Sequence, residues 1–283
     1  MLFQKITILG AGTMGHGIAQ VCAMAGYPVC LTDQSQEQLN MAMQKIESNL
    51  QKGVEKGKVS AETMTLALDN LSTDAQLVSA VQGSEMVIEA VPENLALKQK
   101  LFRIFDEHTV EHAVLASNTS SLSIEDIASV VSDPSRVIGL HFFNPVHIMK
   151  LLEIVYHPNT GNDVITACEG FAKSINKDSI LVKNIPGFAT SRLGVALGME
   201  AIRMLEEGVA SAEDIDKAMV LGYRHPVGPL KLTDMVGLDV RLAIGEYLAK
   251  ALQNPAFEPP NLLRELVEQG KVGKKSREGF YRW

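Results

Sequence analysis

The sequence predicts an α/β domain built on a mostly parallel sheet, with an inserted helical hairpin, followed by an all-α domain. Two patterns predict this order: short apolar runs alternate with helical patterns through the first two thirds of the chain, and the last third is helical throughout. The length of 283 residues is sufficient for two domains. We therefore expect one domain at residues 1–184 and a second at residues 185–283.

Seven runs have the composition of β-strands. The first four are short and apolar at both alternate sets of positions, as expected for parallel strands that helices cover on both faces. Helical patterns between the runs supply the crossovers that parallel strands require. The predicted strands are residues 3–9, 29–32, 85–91, 113–117, 136–140, 151–155 and 179–182.

A helical hairpin interrupts this alternation between residues 36 and 69. Apolar residues repeat at helical spacing over residues 39–50, and a polar stretch with Gly53 and Gly57 follows. Ser60 then stands in the N-cap position of a second helix. Because no strand pattern occurs here, we expect the hairpin to be inserted into the α/β domain.

The composition changes after residues 183–187. The pattern of residues 188–270 is helical, punctuated by Gly and Pro, and contains no strand signal. Its apolar positions are more numerous than a bundle of fewer than about 100 residues needs to cover itself. We expect this surface to be buried against the first domain or a second subunit.

Composition and charge argue against several classes of protein. With 46% apolar and 21% charged residues, the chain is neither disordered nor a coiled coil. A net charge of -7 disfavours nucleic acid and membrane partners. The three cysteines form no C-x-x-C pair and are expected to be buried thiols in a reducing compartment. Since no apolar run could span a bilayer and the chain opens directly into a predicted strand, we expect a cytoplasmic protein without a targeting segment.

A glycine-rich turn joins the first strand to the first helix. The two outer glycines permit the tight turn and the close packing of helix on strand, while the middle one lets the backbone approach a pyrophosphate at the helix N-terminus. In that context the pattern predicts a Rossmann-type dinucleotide-binding domain. The residues are Gly10, Ala11, Gly12, Thr13, Met14 and Gly15.

Asp33 ends the second strand about 20 residues further on, where a carboxylate accepts a hydrogen bond from the adenosine ribose. A carboxylate would repel a ribose 2′-phosphate, and residues 34–36 contain no arginine to receive one. NAD is therefore favoured over NADP. Two alternatives stay open at this point: a glycine turn that only packs the βα unit, and FAD, which can use the same fingerprint.

Several segments resemble those of the short-chain L-3-hydroxyacyl-CoA dehydrogenases. The runs HFFNPV at residues 141–146 and KLLEIV at residues 150–155 are similar to the active-site segment of that family. Further similar segments are residues 88–95, 117–122, 185–188, 226–230, 234–239 and 279–281. Among its members, the bacterial 3-hydroxybutyryl-CoA dehydrogenases are nearest in length. The resemblance implies oxidation of the 3-hydroxyl of an acyl-CoA with NAD, by a homodimer that pairs through the helical domain.

The residues themselves support such chemistry through His141 and Glu153. Hydride leaves an alcohol carbon only as the hydroxyl proton is removed, so the site needs a base of the histidine type. His141 lies at a strand end, where α/β sheets bind ligands, and Glu153 lies in an apolar run where an unpaired carboxylate is unfavourable. A turn at Asn144 would make the two neighbours, so that Glu153 orients the imidazole and stabilises its charged form.

The resemblance also assigns positions around this pair. Ser120 matches the serine that hydrogen-bonds the substrate oxygen, although it could instead cap a helix near Ser123. Asn144 matches a position at the nicotinamide end that also binds substrate, or it serves only the turn. The positions that match cofactor contacts are Glu93, Lys98 and Lys275, of which Lys98 could instead be a solvated helix charge.

The hairpin and the helical domain carry the remaining substrate positions. The family binds CoA along this hairpin, and Lys56 is the best match to its basic contact, unless it is only part of a solvated face. Asn49 stands where some relatives have a serine. Ser191 occupies the place of the family's active-site asparagine and is shorter and without an amide, so we expect altered geometry at the thioester end.

Two alternative functions and a metal site fit the sequence less well. A relative that oxidises a free hydroxy acid, such as the gulonate dehydrogenases, is disfavoured by Lys56. A non-catalytic NAD-binding structural protein would be expected to lose His141 or Glu153, and both are present. His108 and His112 are four apart on a predicted helix without a third ligand, so no metal is expected.

Overall fold

The computed structural model describes residues 2–283, which form two compact units. The first unit extends to Ile185, and the second comprises Pro186–Trp283. The first unit contains a sheet of eight strands in the order β3-β2-β1-β4-β5-β6-β7-β8. The strands are β1 Ile6–Leu9, β2 Val29–Thr32, β3 Leu71–Asp74, β4 Met86–Glu89, β5 Val114–Ser117, β6 Val137–Phe142, β7 Leu151–Tyr156 and β8 Asp178–Lys183.

The predicted fold class is confirmed, because the strands from β3 to β6 in this order are all parallel. Strand β7 runs antiparallel to β6, and β8 is parallel to β7. Consequently β1, β2, β4, β5 and β6 all end at the same edge of the sheet. The order of the strands reverses between β1 and β4, which is where open α/β sheets bind their ligands.

All seven predicted strands are present, but the sequence analysis missed β3. This strand is the sequence Leu-Ser-Thr-Asp, which is neither apolar at every position nor alternating. It lies at the edge of the sheet, where both ends of the strand are half-buried and its middle is exposed. Its pairing with β2 therefore comes from tertiary contact rather than from a hydrophobic pattern.

Seven helices accompany the sheet in the first unit, and the predicted hairpin is confirmed as α2 and α3. Ser60 caps α3 as expected, since its hydroxyl accepts from the Thr63 amide at 3.1 Å. The buried side of α2 consists of Leu39, Ala42, Ile46 and Leu50, at helical spacing. The helices are α1 Thr13–Met24, α2 Gln36–Glu55, α3 Ala61–Asp69, α4 Leu77–Val81, α5 Leu95–His108, α6 Ile124–Ala128 and α7 Asn162–Ser174.

The second unit is helical, and its described residues contain no strand beyond isolated bridges near the C-terminus. Asp234 is 1% exposed, and its carboxylate accepts from the backbone amides of Phe280 and Tyr281 and from the indole of Trp283. These bonds fix the C-terminal tail on the bundle. The helices are α8 Thr190–Glu206, α9 Ala212–Gly222, α10 Pro229–Val236, α11 Leu238–Leu252 and α12 Asn261–Glu268.

The burial of the three cysteines agrees with the expectation from the sequence. Cys22, Cys30 and Cys168 are buried and unpaired, and burial raises the pKa values of Cys22 and Cys168 to about 12. None of the helices in residues 2–283 is long and apolar enough to cross a membrane.

Candidate functional site

The three glycines of the first turn have different roles. Gly10 has a φ of +100°, and a Cβ there would lie 2.7 Å from the carbonyl oxygen of Ala90. A Cβ at Gly15 would overlap the carbonyl oxygen of Gly10, so both positions exclude a side chain for packing reasons. At Gly12, by contrast, no heavy atom lies within 4 Å of the Cβ position. The open space in front of Gly12 is therefore available to a ligand.

A cavity of about 760 Å³ adjoins this open space. Its lining includes Gly12, Asp33, Ala90, Leu97, Leu101 and Ile104. The first turn of α1 carries no acidic residue, and no side chain caps its N-terminus, so its N–H groups remain available for a phosphate. The cavity and this helix end favour a ligand site over a glycine turn that only packs the βα unit.

Asp33 is held at the wall of the cavity by the backbone. Its Oδ2 accepts from the Ala11 amide at 2.9 Å, and its Oδ1 accepts from the Ser35 amide at 3.0 Å. Each carboxylate oxygen has a second lone pair, so both can still accept from ribose hydroxyls. These residues fit the pyrophosphate and adenosine ribose of NAD.

A buried ion-pair network lies beside the cavity, at the ends of β4 and β5. Glu89 is fully buried and accepts from the Lys98 ammonium at 2.6 Å, the Val91 amide at 2.7 Å and the Ser117 hydroxyl at 2.7 Å. Lys98 is 1% exposed and also lies 3.3 Å from Glu93. Lys98 is therefore not a solvated helix charge: it joins a buried carboxylate to one at the surface.

Glu93 organises the loop after β5. Its Oε1 accepts from the Thr119 hydroxyl at 2.5 Å and from the backbone amides of Ser120 and Ser121 at 3.0 and 3.2 Å. Burial raises the pKa of Glu93, but Lys98 and the bonds from Thr119 and Ser120 outweigh it, and the pKa lies below its usual value. The network therefore holds an ionised carboxylate that fixes the backbone of Ser120.

Ser120 does not cap the following helix. Ser123 is the N-cap of α6, because its hydroxyl accepts from the Asp126 amide at 3.2 Å. The Ser120 hydroxyl lies 3.5 Å from Glu93, and the residue is half-buried. Of the two sequence-based interpretations of Ser120, helix capping is therefore wrong.

His141 and Glu153 are direct neighbours across β6 and β7, as the predicted turn requires. The Nδ1 atom of His141 lies 2.6 Å from a carboxylate oxygen of Glu153. Glu153 is fully buried and His141 is 7% exposed, so the contact is shielded from water. The end of β6 is fixed by Asn118, whose side chain accepts from the Phe142 amide at 2.9 Å. The arrangement is a buried histidine–carboxylate pair at the end of a parallel strand, which is chemically suited to acid–base catalysis.

The turn that contains Asn144 is exposed, and a lysine from another element secures it. Lys177 donates to the carbonyl oxygen of Val146 and to that of Met149 at 2.6 Å. Burial, and then the neighbouring Lys150, lowers the pKa of Lys177. Lys177 is not predicted from the sequence, because nothing in its sequence neighbourhood distinguishes it. Glu89 is likewise not predicted, although a carboxylate at the end of an apolar strand is a signal that could identify it.

The two predicted substrate residues of the helical hairpin, Asn49 and Lys56, lie on one face of α2 and at its C-terminal end. Asn49 and Lys56 are seven residues apart, which is close to two helical turns. Lys56 is exposed and follows the last residue of α2. The amide group of Asn49 donates to Gln20 at 3.3 Å, so this side chain also joins α2 to α1.

Two predicted site residues belong to the second unit. Ser191 is half-buried in the first turn of α8. Lys275 is half-exposed, and its ammonium lies 2.6 Å from a carboxylate oxygen of Asp239. This contact uses one of the three N–H donors of the ammonium group.

His108 and His112, the two candidate metal ligands, do not share a helix. Helix α5 ends at His108, and His112 lies in the turn beyond it, so the predicted helical spacing is wrong. Within residues 2–283, no group of three or more His, Cys, Asp or Glu residues is placed to hold a metal ion.

The fold, the open glycine turn with Asp33, and the histidine–carboxylate pair at the same edge of the sheet fit an NAD-dependent oxidoreductase. The model of the 3-hydroxyacyl-CoA dehydrogenase NAD-binding domain matches residues 5–185, and that of the 3-hydroxyacyl-CoA dehydrogenase C-terminal domain matches residues 187–283. The chain belongs to the 3-hydroxyacyl-CoA dehydrogenase family.

Similar proteins extend over nearly the whole chain. The mitochondrial hydroxyacyl-coenzyme A dehydrogenase of Sus scrofa is 40% identical over 289 residues, covering 100% of this chain and 92% of its own. A probable 3-hydroxybutyryl-CoA dehydrogenase of Bacillus subtilis is 40% identical over 281 residues, covering 99% and 98%. The crystal structure of (S)-3-hydroxybutyryl-CoA dehydrogenase from Ralstonia eutropha is 39% identical with a TM-score of 0.96, covering 99% of both chains.

Proposed function

We propose that this protein oxidises short-chain (S)-3-hydroxyacyl-CoA, such as 3-hydroxybutyryl-CoA, to 3-oxoacyl-CoA with NAD, and catalyses the reverse reaction. The observation that carries the proposal is the buried 2.6 Å contact between His141 and Glu153 at the edge of the sheet that holds the glycine turn. In the forward direction the C3–H bond breaks as a hydride and the hydroxyl loses a proton. A base with a fixed orientation is what such a step requires.

His141 takes the hydroxyl proton in the forward direction and returns it in the reverse. Because Nδ1 faces Glu153, proton exchange with the substrate is assigned to Nε2. Glu153 orients the ring and stabilises the imidazolium that forms, and its full burial strengthens both effects. The pair therefore combines general acid–base catalysis with electrostatic stabilisation.

Ser120 and Asn144 are proposed to bind the substrate oxygen and the nicotinamide end. The backbone of Ser120 is fixed by Glu93, so its hydroxyl can be presented from a defined position. Asn144 follows β6 and is exposed. A hydroxyl and an amide are suitable partners for a carbonyl oxygen on which negative charge develops.

The residues proposed to hold NAD include those of the glycine turn together with Asp33, which receives the ribose. When bound, NAD would serve as the hydride acceptor. Glu93 is a direct contact in this proposal, whereas Lys98 is too deeply buried for that role and positions Glu93. Lys275 is the proposed contact from the second unit. The glycine-turn residues are Gly10, Ala11, Gly12, Thr13, Met14 and Gly15.

The CoA portion is proposed to contact Lys56 and Asn49 on the hairpin, and Ser191 to replace an asparagine at the thioester end. In a protein of net charge -7, an exposed lysine at the end of α2 supplies the local positive charge that phosphates need. In this proposal residues 1–184 form the NAD-binding domain, and residues 185–283 form the substrate and dimerisation domain.

A homodimer is proposed through the helical unit. Large apolar side chains are exposed there, among them Leu193 at 72%, Leu221 at 69% and Tyr223 at 76%. Such side chains on one unit are typical of a subunit interface. The three unpaired, buried cysteines support a reducing compartment, and we propose the cytoplasm.

The test compares NADH oxidation with acetoacetyl-CoA and with free acetoacetate. We expect kcat/KM to be at least about tenfold higher for the thioester, equivalent to roughly 1.4 kcal/mol. Equal values would instead favour a dehydrogenase of free hydroxy acids, the gulonate type of activity. Specific binding of NADH without turnover of either compound would favour a non-catalytic NAD-binding protein.

A further inference from the structure

Arg241 on α11 is a buried cation without a counter-ion. Only 6% of the residue is exposed, and no carboxylate within residues 2–283 forms an ion pair with it. Its Nε atom is buried and has no hydrogen-bond partner. Burial lowers the pKa of Arg241 to about 10, so the guanidinium is still charged near neutral pH. A buried, unpaired charge is strongly unfavourable, which makes it a candidate binding group.

Two glycines of α8 make room for this side chain. A Cβ at Gly198 would lie 3.6 Å from Nε and 3.7 Å from Cζ of Arg241, and a Cβ at Gly194 would lie 3.7 Å from Nη1. The guanidinium therefore extends along α8 towards the start of that helix, with its outer nitrogen beside Gly194.

The space above Gly194 is open except for the guanidinium. Apart from the chain neighbours of Gly194 and the backbone of its own helix, Nη1 of Arg241 is the one heavy atom of residues 2–283 within 4 Å of the Cβ position at Gly194, and Gly194 itself is half-buried rather than enclosed. A small group can therefore reach the guanidinium from this side. Ser191 lies three residues before Gly194, on the same face of α8. The niche, defined here as Gly194, Gly198 and Arg241, thus adjoins the proposed substrate position.

We infer that this niche binds a carboxylate at the far end of the substrate's acyl chain, so that the preferred substrates are 3-hydroxyacyl-CoA thioesters of dicarboxylic acids. The inference rests on the proposed function. A carboxylate is the favoured ligand because it supplies a full opposite charge and matches the planar donor geometry of the guanidinium. A methyl-terminated chain would leave the buried charge uncompensated.

The test uses two 3-oxoacyl-CoA substrates of equal length. 3-Oxoadipyl-CoA ends in a carboxylate and 3-oxohexanoyl-CoA in a methyl group. With NADH, we expect the wild-type protein to show a kcat/KM at least about tenfold higher for 3-oxoadipyl-CoA, mainly through a lower KM. Arg241→Met should abolish this preference. Lys250→Met, which removes an exposed charge from the same helix, should retain it.

Stability measurements distinguish binding from packing. Arg241→Met should have an unchanged or higher Tm, because it removes a buried charge that has no partner. Gly194→Ala should also raise the Tm, because alanine is the better helix former, and its methyl group should reduce the preference several-fold by occupying the niche.

Three results would overturn the inference. Equal kcat/KM for the two substrates in the wild type would remove the subsite while leaving the proposed function intact, provided that both are turned over. A large loss of Tm in Arg241→Met would make the arginine structural. A change in the oligomeric state of Arg241→Met, with an unchanged preference for 3-oxoadipyl-CoA, would mean that a second copy of the chain supplies the counter-ion of Arg241. If the wild-type protein reduced none of the three thioesters (3-oxoadipyl-CoA, 3-oxohexanoyl-CoA and acetoacetyl-CoA), the proposed function itself would be refuted.

Discussion

Replacing Glu153 by glutamine tests the proposed acid–base pair most directly. The substitution keeps the size of the side chain and removes its charge at a site that is fully buried and 2.6 Å from the imidazole. A buried hydrogen bond to a charged group contributes roughly 1.5–3 kcal/mol, which corresponds to a factor of about 10 to 150 in rate. The glutamine amide can also donate to Nδ1 and so place the imidazole proton on Nε2, the atom that must accept the substrate proton.

We therefore expect kcat for acetoacetyl-CoA reduction to fall by about 10² or more in Glu153→Gln. NADH affinity, measured by fluorescence, should stay within about twofold, because Asp33 and the glycine turn follow other strands. Glu47→Gln, an exposed change on α2, is the matched control and should leave both quantities unchanged.

Two results would refute this reasoning. A near-normal kcat in a folded Glu153→Gln variant would remove the carboxylate from the mechanism. A parallel loss of activity, NADH affinity and Tm would show that Glu153 only supports the sheet.

Three further predictions concern the cofactor, the substrate and pH. Asp33 should give at least about tenfold higher kcat/KM with NADH than with NADPH, roughly 1.4 kcal/mol, and equal values would mean that it does not face the ribose. Ser191→Ala should lower kcat/KM for acetoacetyl-CoA by about 1 kcal/mol, and an unchanged value would mean that another group serves the thioester end. Burial raises the pKa of Glu93, but the charge of Lys98 and the hydrogen bonds lower it more, so the net pKa lies below 4.5. The ionised carboxylate therefore stabilises the folded state above pH 4.5, and this contribution is lost as the pH falls through the lowered pKa. The Tm of Glu93→Gln should accordingly lie below that of the wild type at pH 7 and approach it towards pH 3, and a constant difference would contradict the assigned role of this carboxylate.

The local patterns of the sequence were sufficient to predict every strand except β3, and the helical patterns between the strands. Apolar strands with helical patterns between them, the Ser60 cap and the glycine turn each depend on residues close in sequence, so they can be read without a structure. His141 and Glu153 belong to this group as well, because the turn after β6 makes them neighbours over a separation of only 12 residues.

Tertiary structure alone decided features whose partners are distant in sequence. Strand β3 is too polar to be recognised from its sequence, and it forms by pairing with the edge of β2. The sequence predicts Lys98 as a cofactor contact or a solvated helix charge, and only the structure shows the buried network that it forms with Glu89 and Glu93. Lys177 acquires its role by reaching Val146, 31 residues earlier.

Arg241 is the clearest example of a residue whose environment depends on groups that are distant in sequence. On its own helix it is an ordinary basic residue, and only the packing of α11 against two glycines of α8 leaves its guanidinium buried without a carboxylate. The sequence by itself determined the fold class, the family resemblance and the pairing of His141 with Glu153, because these depend on contiguous patterns. The burial and pairing of individual charges were decided by the tertiary structure, because the free energy of a charge depends on neighbours and solvent exposure that one-dimensional order does not specify.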